Sequence, residues 1–413
     1  KLHLKYLNPY STWILRFVGS HRRFVKAKGI YLTDENGQTY LDFLCGFGSL
    51  NLGHEPPEVL GALKSVEGRP NFLQVSLNPF AAKLAEFLEK VAPGELSRTF
   101  FCNSGAEAIE AAIKLARCAT KRKLLLSTTG AFHGKTYGAL SVSGKNKYKA
   151  PFEPLLPATK TIPYNDLTAL RKELCHNNVA GFIVEPIQGE AGVIVPDNGY
   201  LKGAEQLCRK YATLLIIDEV QSGMGRTGKL FCCEYEGVKP DIMCLSKSLG
   251  GGVIPIGAMI TTDKIWKKAY GSLETCLLHS STFGGNSKAC ACGIAALNTI
   301  ISKDLIRNAK IQGEYLLAKL QCLKKQFPII KEVRGKGLMI GINFSRLKGK
   351  SPLIEGAITL LVVRQLLRKH HIVTAFTLNN YDVLRIMPPL NVTRQQIDKF
   401  LTALEGVLKT TNI

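Results

Sequence analysis

Three short stretches of the chain place chemically capable side chains where secondary structure would leave them open to a ligand. In the first, Phe100, Phe101 and Cys102 run into Asn103-Ser104-Gly105-Ala106-Glu107, which reads as a strand ending and a helix beginning. Ser104 can cap that helix, Glu107 three residues on completes a capping box, and Gly105 lets a ligand approach the backbone closely. Free N–H groups and a hydroxyl at a helix start make a phosphate cradle, although an ordinary capped helix carries the same signature. In the second stretch, the apolar run 213–217 ends in Asp218-Glu219-Val220-Gln221 before the glycine-rich turn 222–228. A carboxylate at the carboxyl end of a strand sits where open α/β sheets bind ligands, and its desolvation is costly unless a cation pairs with it. In the third, Lys247 follows Cys244-Leu245-Ser246 and precedes Gly250-Gly251-Gly252. A lysine boxed in by apolar and small neighbours loses hydration of its ammonium, so its amine becomes neutral enough to attack a carbonyl.

A phosphate cradle, a carboxylate for a protonated pyridine nitrogen and an amine for an aldehyde together describe a site for pyridoxal 5'-phosphate. Such a site needs a rigid frame. Branched apolar runs at 98–102, 123–127, 180–185, 213–218 and 242–246 alternate with amphipathic stretches at 107–120, 167–176 and 199–211. That alternation predicts an α/β fold with a mostly parallel sheet. Nearer the ends the pattern becomes α+β: residues 29–43 read as a hairpin turning at Glu35-Asn36-Gly37, and 330–344 as strands broken by Arg334-Gly335-Lys336-Gly337. Helical stretches at 294–325 and 359–370 would flank them. We therefore expect residues 60–300 to form a large cofactor-binding domain, with 1–59 and 301–413 sharing a small α+β domain.

Composition narrows the alternatives. With 413 residues and 46% hydrophobic content, the chain can bury a large core without staples. The 12 cysteines lie mostly within apolar runs at no zinc-ligand or secreted-framework spacing, which predicts reduced thiols and no metal site. No apolar run approaches bilayer length and the start lacks a signal core, so a cytoplasmic location without membrane attachment is expected. The absence of Met at position 1 suggests a chain trimmed or cut from something longer. The net charge of +22 invites nucleic-acid binding, but lysine and arginine are scattered in twos and threes, with no basic run and no recognition motif. No nucleic-acid partner is expected.

With those residues in view, the chain resembles the class III aminotransferases of the ornithine and acetylornithine type, which have the fold type I, aspartate aminotransferase-like architecture. The likeness runs from about residue 29 to residue 407. It rests on YLDFLCGFGSLNLGH, FFCNSGAEA, GAFHGKTYGALS, VEPIQGEAGV, LLIIDEVQSGMGRTGK, LSKSLGGGVIPIGA, STFGGN, VRGKGLM and LRIMPPL. Within that family the putrescine (diamine) aminotransferases are the nearest likeness.

The resemblance implies that Lys247 forms the Schiff base with the cofactor and shuttles protons, and that Asp218 pairs with the pyridine nitrogen. It implies Gln221 at the ring hydroxyl, Phe132 on the ring face, and His133 and Glu185 among the cofactor-binding residues. Ser104, Gly105 and Ala106 would hold the phosphate, with Thr282 reaching it from the neighbouring subunit of a homodimer. Ala106 departs from the threonine common at that position. For substrates, the family's carboxylate-binding arginine in the FHG-R-T stretch is Lys135 here, a point charge without the bidentate fork. Arg385 matches the second carboxylate arginine, and Glu190 the acidic residue that pairs with it and switches between substrates. Phe47, Leu50 and Tyr137 would line the channel for the far end of the donor. The expected activity is transfer of a terminal amino group from a diamine or other ω-amine to 2-oxoglutarate or another carbonyl acceptor. Ornithine or acetylornithine aminotransferase, an aminomutase, and an aminotransferase domain of a larger biosynthetic protein aminating an aldehyde are the alternatives.

Overall fold

The computed structural model describes residues 2–71, 76–345 and 356–410. Fifteen strands occur among them: β1 Phe24–Lys28, β2 Tyr31–Asp34, β3 Thr39–Asp42, β4 Leu96–Cys102, β5 Leu124–Thr128, β6 Thr159–Ile162, β7 Val179–Val184, β8 Leu214–Asp218, β9 Ile242–Leu245, β10 Gly257–Thr262, β11 Ile330–Lys336, β12 Met339–Phe344, β13 Ile372–Val373, β14 Ala375–Phe376 and β15 Val383–Ile386. Seven of them form one sheet in the order β4-β10-β9-β8-β7-β5-β6. Only β10 runs against its neighbours, and the rest of that sheet is parallel.

The central strands read as unbroken apolar runs because both faces are covered. Every residue of β7 and β9 is buried. Against one face lies the Gly105–Thr120 helix, whose buried residues are Ala108, Ile109, Ala111, Ala112, Ile113, Leu115 and Ala116. Short alanine side chains let that helix sit close to the sheet, which holds its amino end beside the carboxyl ends of β8 and β9. The fold is thus the mixed α/β architecture expected, with the five anticipated strands found within a residue or two of their expected bounds.

Two smaller sheets complete the molecule, β1-β2-β3-β13 and β11-β12-β15-β14. The hairpin β2–β3 turns where expected, because the Asp34 carboxylate accepts from the N–H groups of Asn36 and Gln38, both at 3.0 Å. In the same sheet β13 pairs parallel with β3, Ile372 opposite Leu41, so chain from both ends meets there. The stretch 294–325, expected as continuous helix, is two helices, Ser287–Ser302 and Leu305–Gln326, bent by 61°. Asp304 makes the break by taking a left-handed conformation, φ 51°, which aspartate tolerates better than most residues. In the seven-stranded sheet two strands escaped the sequence pattern. β6 is an edge strand of polar Thr and Lys, and β10 opens on glycine directly after the Pro255-Ile256 pair. Among the described residues no single helix is long and apolar enough to cross a membrane.

Candidate active site

The carboxyl ends of β4, β8 and β9 converge on one cavity of about 240 Å³. Gly105, Ala106, Phe132, His133, Gly134, Glu185, Glu190, Asp218, Val220, Gln221, Ser246 and Lys247 line it. Nine of these are residues that the sequence singled out. Ser104, Lys135, Thr282 and Arg385 do not line it, and each has a different relation to it.

Ser104 caps the Gly105–Thr120 helix as expected, its Oγ accepting from the Glu107 N–H at 3.2 Å. The return half of the capping box is displaced by one residue. The Glu107 carboxylate accepts from the Asn103 N–H at 2.8 Å instead of from that of Ser104. Helix geometry leaves the first-turn N–H groups of Gly105 and Ala106 without intrahelical partners, at the cavity wall. A side chain at 105 would put its Cβ 2.8 Å from Val220 Cγ1, so glycine is what allows the helix start to come this close.

Asp218 is the last residue of β8 and is nearly buried. One carboxylate oxygen accepts from the Val220 N–H at 3.0 Å, and the other lies 2.7 Å from His133 Nδ1. Burial alone would lower the His133 pKa, but the hydrogen bond and charge of Asp218, helped by Glu185, outweigh it and raise it. His133 Nε2 is buried without a partner among the described residues. Glu219, just past the end of β8, does not line the cavity. It accepts from Ser222 Oγ at 2.5 Å and from the Cys233 N–H at 2.8 Å, and burial lifts its pKa to about 7. Gln221 lines the cavity, its Nε2 donating to the Phe47 carbonyl at 3.1 Å while its Oε1 is buried without a partner among the described residues. Gly189 makes room for that amide, since a Cβ there would lie 1.7 Å from Gln221 Oε1.

Lys247 sits on the turn after β9 with φ 50°, a left-handed conformation that costs a lysine about 1 kcal/mol or more. The turn is anchored by Ser246 Oγ, which donates to the Ile256 carbonyl at 2.8 Å. Burial pushes the Lys247 pKa down to about 8, and the carboxylates of Glu190, Asp218 and Glu185 resist that fall only in part. Glu185 accepts from the N–H groups of Phe132 at 2.9 Å and Gly189 at 3.2 Å, and burial raises its pKa to about 7.

At the rim, Arg385 from β15 closes on Glu190 through two hydrogen bonds, 2.7 Å and 2.5 Å. Burial would raise the Glu190 pKa, but the Arg385 charge and hydrogen bonds dominate and lower it. Lys135 is exposed and does not line the cavity, its Nζ 5.1 Å from the centre of the Tyr148 ring. Thr282 is exposed beside Ser281, whose Oγ accepts from Asn103 Nδ2 at 3.0 Å. Arg226 was not singled out from the sequence, yet it is fully buried behind the cavity. It donates to Asn51 Oδ1 at 2.5 Å, to the Leu338 carbonyl at 3.1 Å and to the Pro388 carbonyl, tying the amino-terminal, glycine-rich and carboxyl-terminal segments together.

These features fit pyridoxal 5'-phosphate: unpartnered N–H groups for phosphate, an orphaned amide oxygen and imidazole nitrogen, a buried carboxylate and a desolvated amine around one hollow. Comparison with known proteins agrees. The family model for class-III aminotransferases matches residues 18–408. The chain belongs to that family.

This aminotransferase is 44% identical to the putrescine aminotransferase of Pectobacterium atrosepticum, an alignment that covers 92% of the chain and 81% of that protein. It is 38% identical to the aminotransferase PigE of a Serratia species over 98% of its own length, and spans about half (52%) of PigE. Its structure superposes on the ornithine aminotransferase of Toxoplasma gondii with a TM-score of 0.86 at 33% identity, covering 97% of this chain and 94% of that one. A second structure of the Toxoplasma enzyme is described with pyridoxal phosphate partly occupying its active site. As a class-III aminotransferase, the protein is an enzyme that depends on pyridoxal 5'-phosphate.

Proposed function

We propose that the enzyme moves a terminal amino group from a diamine or other ω-amine, putrescine-like, to 2-oxoglutarate or another carbonyl acceptor. The observation that carries this reading is the closed Glu190–Arg385 pair at the rim of the cavity. While closed, it neutralises the guanidinium that would repel a cationic donor. Opened, it frees a planar fork for the carboxylate of an acceptor. The 44% identity to a protein named putrescine aminotransferase supports the same choice. So does Lys135, which lacks the arginine fork and lies over Tyr148 instead of lining the cavity.

Bound pyridoxal phosphate supplies an aldehyde that condenses with amines and a ring that accepts the electron pair left when a C–H proton is removed. In our reading the residues of this chain do the rest. Lys247 Nζ, kept near neutrality by burial, takes up and returns that proton. Asp218, backed by His133, is the anion for the protonated ring nitrogen. Gln221, Phe132 and Glu185 orient the ring, and Ser104, Gly105 and Ala106 hold the phosphate. Thr282 would complete the phosphate site of a second subunit in a cytoplasmic homodimer. The apolar side chains exposed nearby, Leu273 at 96% and Leu277 at 83%, suit a covered face. The β3–β13 pairing supports the division into a 60–300 domain and a domain built from 1–59 and 301–413.

The half-length match to PigE favours a second reading, an aminotransferase unit of a longer protein that aminates an aldehyde. Comparing kcat/KM for putrescine, cadaverine, ornithine and acetylornithine against one acceptor, then for aldehyde acceptors, separates the two. A preference of about tenfold or more for ornithine or acetylornithine overturns the diamine reading.

A further inference from the structure

The rim pair is held from outside the cavity. Glu190 lies on the turn after β7, and a second turn, between β14 and β15, packs over it. The Leu378 N–H donates to Glu190 Oε2 at 2.9 Å, and the Asn379 N–H donates to the Glu190 carbonyl at 2.9 Å. Asn379 Nδ2 pins the same turn to the Gly130 carbonyl at 2.9 Å. Behind it stands Tyr148, whose hydroxyl donates to the Leu378 carbonyl at 3.0 Å. That carbonyl and the Asn379 N–H belong to one peptide group, so a donor on its oxygen strengthens the bond its N–H makes to Glu190. Burial, followed by the neighbouring Tyr381, keeps the Tyr148 hydroxyl protonated and therefore a donor. Lys135 and Lys147 each stand 5.1 Å from the centre of the Tyr148 ring. Lys147 Nζ also donates to Tyr381 Oη at 3.2 Å, so one of the two cations at the ring is itself tied to the segment between β14 and β15.

We propose that Tyr148 is a positioning residue for substrate choice, holding the 377–380 turn so that Glu190 stays closed on Arg385. This rests on the reading of that pair as the switch between cationic donor and carboxylate acceptor. It also places the effect of Lys135 on selectivity at the Tyr148 ring, outside direct contact with substrate. Tyr148→Phe keeps the ring between the two lysines and removes only the hydroxyl. Glu190 is then held less firmly, Arg385 is free more often, and the two substrates respond in opposite directions.

The test measures KM for putrescine and for 2-oxoglutarate in the holoenzyme, with hydrogen exchange of the 377–382 amides as a readout independent of turnover. In Tyr148→Phe we expect the 2-oxoglutarate KM to fall and the putrescine KM to rise, each about fivefold, the worth of one ordinary hydrogen bond. Exchange at Asn379 should quicken. Asn379→Ala, which removes the pin to Gly130, should move both constants the same way. Glu190→Gln combined with Tyr148→Phe should add nothing to Glu190→Gln alone. If both KM values rise together, or neither moves while Glu190→Gln shifts both, Tyr148 does not position the switch and the inference is overturned. If Glu190→Gln itself moves neither constant, the switch reading fails and takes this inference with it.

Discussion

Two carboxylates border the same cavity, each paired with a nitrogen donor from another segment, Asp218 with His133 and Glu190 with Arg385. At the floor, Asp218 is the end of a buried parallel strand, fixed by the Val220 N–H and by His133, which is 0% exposed. At the rim, Glu190 rides on a turn, its side chain 13% exposed, and meets the fully buried Arg385 across from a different sheet. Both pairs are short and charge-assisted. Each joins a strand residue to one in a connecting segment, Asp218 of β8 to His133 and Arg385 of β15 to Glu190. They differ in what holds that segment: the Glu190 turn is held by the N–H groups of Leu378 and Asn379. In our proposed reading the first pair is a fixed charge and the second a gate between cationic donor and carboxylate acceptor. Lys247 feels both, since Glu190 and Asp218 each raise its pKa against burial.

Cavity size alone would have misled. A larger hollow of about 570 Å³ lies at the amino end of the same sheet, lined by Arg122, Lys239, Asp241, Lys264 and Lys268 among others. None of the residues singled out as chemically capable lies there. The carboxyl end is where strand termini deliver side chains and helix starts deliver N–H groups, and the smaller cavity sits at that end.

The contrast between floor and rim is open to breaking by experiment. The largest effect should come from Asp218→Asn, which keeps the shape and removes the fixed charge. Turnover should fall about 10³-fold for every donor and acceptor alike, with an unchanged circular dichroism spectrum. Selective loss for one substrate would make the floor a gate as well. Next is the pH dependence of cofactor capture by the cofactor-free protein. A lysine with its pKa lowered to about 8 is neutral above that value and protonated below it. Capture by Lys247, read by borohydride fixation and peptide mass, should therefore be steady above pH 8. Below pH 8 it should slow about tenfold per unit. A profile still rising at pH 10 would show an ordinary exposed amine.

Arg385→Lys tests the rim. It keeps the charge and removes the fork, so kcat/KM for 2-oxoglutarate should drop about tenfold to a hundredfold while the donor half-reaction changes little. Equal losses in both half-reactions would assign Arg385 to the frame instead. The smallest effect is expected from Ala106→Thr, which restores a side-chain hydroxyl to the phosphate cradle. Cofactor release should slow by about two- to tenfold, and no change would mean that the backbone N–H groups already saturate the phosphate.

Much of this site could be read in one dimension because strand ends and helix starts leave local signatures. Asp218 and Lys247 each follow an apolar run, and Ser104 precedes a helix with glutamate three residues on. The resemblance already paired Glu190 with Arg385 across 195 positions. What escaped was other company these residues keep, such as the Asp218–His133 contact, which spans 85 positions. Arg226 looks like a solvated residue in a glycine-rich turn until Asn51, Leu338 and Pro388 are folded around it. Tyr148 had no signal at all, since a tyrosine among lysines has the composition of an ordinary surface.

The sequence by itself therefore determined the alternating strands and helices, the three stretches that meet at the sheet's carboxyl edge, and the family motifs that carry the cofactor. Hydrophobic periodicity, capping and glycine placement are local, and they act on neighbours within one element. Only the tertiary structure decided which side chains pack around each carboxylate, and that burial brings Lys247 to a pKa of about 8. It alone put Lys135 on a tyrosine ring instead of in the cavity. Those outcomes depend on desolvation and on charges brought together from distant parts of the chain, and neither exists until the sheets have closed around them.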